Sequence, residues 1–343
     1  MHRLLLPLLA LICAPALAVA QPAAAAAPAV ADAATQARAE LAGLAPEAIG
    51  VREIDAAPLA VGVWPGQPYQ GALLVVDVAA PAPIVSASGT FAGAKLTWHR
   101  LDARTWRGMG PVPNGTPAGP AALALDVSTK GGAKIARSVD LEVQPLDFAT
   151  DELTVDAKFT QLSKAARAQI ARDRKLVAAM WKKGSRPSPL IRGNFVLPRQ
   201  DRTTAPYGTR RTYNGQLKSV HEGWDIGGVV GDEIRSPNAG VVTLVSNLYY
   251  SGGTVFVDHG GGLYTAYFHM SSFAVKPGDR VKPGQLLGSV GKSGRVTGPH
   301  LHWAAKIGGH YIHPASLLLF DFTRPMVKPP AEGPEVVPAR ATR

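Results

Sequence analysis

Short runs in which apolar and polar residues alternate fill two stretches of the chain. Between Val51 and Val155 they recur at Leu73 to Val78, Lys95 to His99, Ala121 to Val127 and Ser138 to Val143, parted by turn signals such as Pro65-Gly66, Gly115 and Gly131-Gly132. A period of two with frequent Gly and Pro breaks predicts half-buried strands in an antiparallel sandwich. From about Pro189 to Phe320 the same texture returns at Gly240 to Val245, Thr254 to His259, Leu263 to Met270, Leu286 to Val290 and His300 to Ile307, predicting a second all-β domain. Between them, Leu162, Ala166, Ile170, Val177, Met180 and Trp181 fall at mostly helical intervals among Lys and Arg, so an amphipathic helix is expected from Phe159 to Lys183, with Gly184 ending it.

The ends read differently. Arg3, the apolar run Leu4 to Leu17 and the small residues Ala18-Val19-Ala20 predict a signal peptide over 1–20, hence an exported protein of the periplasm or cell envelope. That run is shorter than the roughly 20 residues a membrane-spanning helix needs, so no integral membrane segment is expected. Residues 21–48, mostly Ala and Pro, read as a linker. The expected order is then a β-sandwich accessory domain at 49–156, a helical linker at 157–188, an all-β catalytic domain at 189–322 and a Pro-rich tail at 323–343.

Composition narrows the chemistry. With 343 residues, 46% hydrophobic and 18% charged, the chain is neither disordered nor fibrous. The formal charge of +11 suits contact with anionic envelope polymers. Nucleic acid is not expected as a partner, because export removes it and no recognition motif is present. Cys13, the one cysteine, lies inside the leader, so any metal site in the mature chain must use His and carboxylates.

Seven of the nine histidines lie between His221 and His313, and imidazole serves both metal binding and proton transfer near neutral pH. In His221-Glu222-Gly223-Trp224-Asp225 an imidazole and a carboxylate can converge from a loop or irregular strand. In Gly298-Pro299-His300-Leu301-His302 the period of a strand sends both histidines to one face, where both can approach one ion or divide metal binding from proton transfer. Along Tyr264 to Met270 the same alternation groups Thr265, Tyr267 and His269 as a polar row, which aims His269 into a groove.

These segments carry a resemblance. His221-x-x-x-Asp225, Tyr267-x-His269-Met270 and Gly294-Arg295-Val296-Thr297-Gly298-Pro299-His300-Leu301-His302 resemble, in order and spacing, the lysostaphin-type (LytM domain) zinc endopeptidases. Tyr207-Gly208-x-Arg210 and Gly284-Gln285-x-x-Gly288 add to the likeness, which covers about residues 189–316. It implies one zinc per chain held by His221, Asp225 and His302, with His269 and His300 as catalytic histidines. Two imidazoles and a carboxylate leave a tetrahedral zinc one open position for water. Tyr207, Arg210 and Tyr267 are then expected along the substrate groove. The implied activity is endopeptidase cleavage of peptide cross-links in bacterial peptidoglycan, at the D-alanyl to diaminopimelate bond, by a monomer whose partners are peptidoglycan stem peptides. The competing reading is a non-catalytic LytM-type module that regulates other wall hydrolases. Such modules lack ligands or catalytic histidines, and all five positions are present here.

Overall fold

The apolar run Leu73–Ala79 is buried along its whole length at the centre of a five-stranded sheet, in a computed structural model that describes residues 32–331 except 216. The predicted signal peptide, the first part of the Ala-rich stretch and the end of the Pro-rich tail lie outside the described residues. In sheet order the strands are Arg52–Ala56, Leu59–Trp64, Leu73–Ala79, Thr105–Pro111 and Thr97–Arg100. A four-stranded sheet of Ala94–Lys95, Ile84–Phe91, Gly119–Thr129 and Lys134–Val143 completes the accessory domain. Leu123, Leu125, Val127 and Leu141 of its long hairpin join the same hydrophobic core as Leu73 to Val76.

Asp77, in the middle of the central strand, is fully buried. Such a charge is tolerated only with full pairing. Arg107 donates to both of its carboxylate oxygens at 2.7 and 2.9 Å, and Met326 N–H adds a third bond at 2.7 Å. Arg107 also donates to Arg324 O. The described start of the segment read as a tail is therefore bound to the sandwich, with Val327 buried.

The second domain is built on an antiparallel sheet in the order Thr203–Ala205, Trp224–Gly227, His300–Ile307, Tyr264–Met270, Gly252–Asp258, Gly240–Leu248 and Arg280–Val281. Trp224, Ile226, Leu301 and Trp303 are fully buried beneath it. The chain is thus nearly all-β, as its alternation predicts.

Three boundaries differ from the sequence reading. The helix runs Lys164–Lys183, starting late because Ser163 Oγ caps it by accepting from Ala166 N–H. It is not a free connector: Met180 is buried, and Trp181 sets its ring edge-on against Phe256 and Tyr264 of the sheet. In the stretch read as a linker, Ala33–Glu40 is a helix capped by Asp32, with Ala37 and Leu41 buried. Gln36 donates to Asp201 O, and Glu40 accepts from Thr203 Oγ1. Thr150–Leu153, assigned from sequence to the accessory domain, pairs in parallel with Arg210–Tyr213, which pairs in turn with Leu217–Val220. Asn214 fixes this join, its amide exchanging two 2.9 Å bonds with the backbone of Val155.

Candidate metal and catalytic site

Strand register brings the two outer motifs together. Trp224–Gly227 pairs with His300–Ile307 so that Asp225 stands opposite His302 and Gly227 opposite His300. Directly opposed residues share a face of the sheet, with Cβ atoms roughly 5 Å apart. His221 enters from the loop before the strand and is held by backbone bonds to Thr209 and Gly208. Gly223 lets the loop pass close by, since any Cβ there would collide with His302 Nε2.

His221 Nε2, Asp225 Oδ1 and His302 Nδ1 form a tight triangle with edges of 2.9, 2.8 and 2.9 Å. His221 Nδ1 lies 2.7 Å from Pro206 O, which can only accept, so the ring proton sits on Nδ1 and Nε2 carries a lone pair. That lone pair faces a carboxylate oxygen, an arrangement resolved by a cation between them. Two nitrogens and one anionic oxygen form a donor set that suits zinc. These three residues also form the cluster able to hold a metal ion among the described residues.

Burial opposes ionisation of Asp225, but the neighbouring imidazoles of His221 and His302 outweigh it and hold the carboxyl well below its ordinary value. Burial lowers His302 to about 4, which keeps it neutral and free to ligate. Arg211 donates to Asp225 Oδ2 at 3.0 Å, leaving Oδ1 for the triangle.

The remaining two histidines flank this cluster. His300 Nδ1 lies 2.9 Å from Gly298 O and His269 Nδ1 lies 2.8 Å from Ser293 O, so both rings turn Nε2 toward the cleft. His300 Nε2 is 3.6 Å from Asp225 Oδ2, and the His269 ring centroid is 4.9 Å from that of His300. Burial, then the neighbouring imidazoles of His300 and His302, hold His269 well below its ordinary value.

His269 reaches the cleft by a route the alternation does not give. Thr265 and Tyr267, its expected companions, are buried in the core, where Tyr267 OH meets Thr265 Oγ1 and Thr265 Oγ1 meets His259 Nε2. The cleft face carries Phe268, opposite His302 and stacked on its ring at 5.1 Å. His269 would therefore point into the core, but its φ of +64° and a register shift against Gly252–Asp258 turn it back.

Two adjoining hollows of about 330 and 260 Å³ open over the cluster, one over His221 and His302, the other over Asp225 and His300. Arg211, Tyr213, His269 and Arg295 line both. None of the three expected groove residues does. Tyr207 is buried with its hydroxyl on Tyr311 O, and Tyr267 is fully buried. Arg210 is exposed and points away, because alternation along Arg210–Tyr213 gives the cleft Arg211 and Tyr213 instead. The signal for Arg211 and Tyr213 was their spacing of two, but nothing in the sequence said which face met the site. His259 and His313 are buried structural histidines, and His310 is exposed.

The profile of Peptidase family M23 matches residues 219–314, the segment that carries the whole triangle and both flanking histidines. The peptidoglycan DD-endopeptidase ShyC of Vibrio cholerae is 37% identical over 120 residues, covering 34% of this chain and 28% of that one. The DD-carboxypeptidase/endopeptidase Mpg of Neisseria meningitidis is 35% identical over 118 residues, covering 34% of this chain and 27% of that one. The match thus spans little more than a quarter of either relative's length. In fold, a peptidase M23 crystal structure from Pseudomonas aeruginosa aligns over 74% of this chain and 96% of its own, with a TM-score of 0.55 at 24% identity. Residues 219–314 of this chain are a peptidase family M23 domain of the LytM type.

Proposed function

We propose that the chain is a zinc-dependent endopeptidase of the cell envelope that cleaves the D-alanyl to diaminopimelate cross-link of peptidoglycan. The observation that carries this reading is the shared orientation of His221, His269 and His300. Each gives its Nδ1 proton to a backbone carbonyl, which leaves an Nε2 lone pair that faces Asp225 in His221 and His300 and the cleft in His269. The names of the M23 relatives supply the substrate class.

His221, Asp225 and His302 would hold the ion, which when bound supplies Lewis acidity toward a peptide carbonyl and water. The protein's own groups handle the proton. His300 Nε2 takes a proton from water as the water oxygen bonds to the carbonyl carbon, and Asp225 Oδ2 at 3.6 Å stabilises the resulting imidazolium. The same proton passes to the nitrogen as the carbon–nitrogen bond breaks. His269, neutral and acceptor-first at Nε2, orients the water. Arg211 keeps Asp225 from rotating.

Incubating the mature protein with purified peptidoglycan, with and without chelator, tests the proposal by mass spectrometry of the products. Chelator-sensitive conversion of dimeric to monomeric stem peptides is expected. New reducing sugar ends, or intact dimers after long incubation with zinc-loaded protein, would overturn it.

A further inference from the structure

Two cations line both hollows, and they differ in one respect. Arg211 is engaged by Asp225, whereas Arg295 has no carboxylate partner among the described residues. Asp151 lines the second hollow with it but forms no ion pair among the described residues. The Arg295 guanidinium instead lies 4.0 Å from the ring centroid of Tyr213 and 4.9 Å from that of Tyr250. Its backbone N–H donates to Tyr250 O at 2.7 Å, which fixes the loop from which it projects.

Aromatic faces hold a guanidinium by its plane, through cation–π attraction, and leave its N–H edges unused. Those edges are the part that binds a carboxylate through two parallel hydrogen bonds. The clamp is itself rigid. Tyr213 is buried against Val155 and Phe159, and Phe159 packs on both Tyr249 and Tyr250. An anion seated on Arg295 would lie in the same hollows as His269, the proposed water-orienting group.

We infer that Arg295, held between Tyr213 and Tyr250, is a specificity-determining residue that binds a free carboxylate of the peptide substrate beside the scissile bond. The inference rests on the endopeptidase reading for its substrate class but not for its binding step. A cross-linked stem peptide offers this chemistry from two sources, a side-chain carboxylate at the cross-link or the chain's C-terminal carboxylate.

The test uses three synthetic cross-linked stem peptides: one with both carboxylates free, one amidated at the side chain and one amidated at the C-terminus. Steady-state kcat and KM are measured for wild type, Arg295→Ala and Arg295→Lys, and calorimetry gives binding of each peptide to the His300→Ala protein with and without Arg295→Ala. One amidation should lower wild-type kcat/KM about tenfold or more, mainly through KM, and identify the source. Arg295→Ala should lower cleavage of the free acid by a similar factor while treating acid and amide within about twofold, with Arg295→Lys between. Equal preference for acid and amide in wild type, or a preference that survives Arg295→Ala, would overturn the inference. If wild type cleaves no peptide but binding keeps an Arg295-dependent preference for the acid, the endopeptidase reading fails and the carboxylate site stands.

Discussion

The floor and the walls of the cleft are made in different ways. The floor comes from adjacent strands of one sheet, where pairing of Trp224–Gly227 with His300–Ile307 sets Asp225 beside His302 across 77 residues of sequence. The walls come from segments far apart: Thr150–Leu153, the Arg210–Tyr213 hairpin, the turn at Tyr249 and Tyr250, and the loop at Arg295. A floor set by register tolerates little, because each side chain depends on its strand neighbours. A wall assembled by packing draws on several segments, with Arg211, bonded to Asp225, as a tie to the floor, so wall substitutions should weigh less on the ligand set than floor substitutions.

The largest expected effects test the floor. His221→Ala and His302→Ala should each remove zinc and lower turnover about a thousandfold or more, since either leaves the ion two ligands. Full zinc by elemental analysis in both variants would reject the triangle as the site. His300→Ala and His269→Ala should cost about a hundredfold in turnover while zinc stays bound. If His300→Ala instead empties the site, the division of the His300 and His302 roles is wrong.

A third effect concerns the layer that supports the floor. His313 accepts from Ala315 N–H at Nδ1, and burial pushes its pKa down to about 3; burial lowers His259 to about 4. Both sit below the unfolded value, so the folded state binds fewer protons. Their contribution is whole above about pH 6.5 and is lost as pH falls toward those folded values, by roughly 2 kcal/mol per histidine between pH 6.5 and 5. Urea midpoints at pH 7 and pH 5 check this, and equal midpoints would show that the rings are protonated without cost. The smallest of these effects belongs to the wall. Asn214→Ala removes both bonds to Val155 and should cost about 1 kcal/mol in stability and a few-fold in kcat/KM, with zinc unchanged. A fall in zinc content there would show that wall and floor are coupled.

This division also explains what the sequence revealed. Strand period put His300 and His302 on one face, a local property, whereas the grouping of His221, Asp225 and His302 as ligands followed only from the resemblance of the separated motifs to the LytM-type family. His269 was placed in the cleft by an argument from the wrong face, because alternation cannot foresee a left-handed residue at a register shift. Tyr207 and Tyr267 look like groove aromatics in sequence, yet their hydroxyls are satisfied internally, by Tyr311 O and Thr265. The pairing of Thr150–Leu153 with Arg210–Tyr213 joins strands separated by the whole Lys164–Lys183 helix, and the burial of Ala37 and Leu41 depends on a surface built later in the chain. Neither leaves a local trace.

The backbone at His269 carries a thermodynamic consequence. A non-glycine residue at φ +64° costs on the order of 1 kcal/mol, and the surrounding sheet is what keeps it there. Glycine holds that conformation freely, so the backbone at position 269 would be more relaxed without a Cβ. His269→Gly should therefore melt no lower than His269→Ala, and higher by the part of the strain released, while being equally inactive. If the melting order is reversed, the left-handed turn is relaxed rather than strained. If it holds, this position marks a place where the fold gives up stability to direct one nitrogen into the cleft, and where selection for heat resistance alone would remove the histidine.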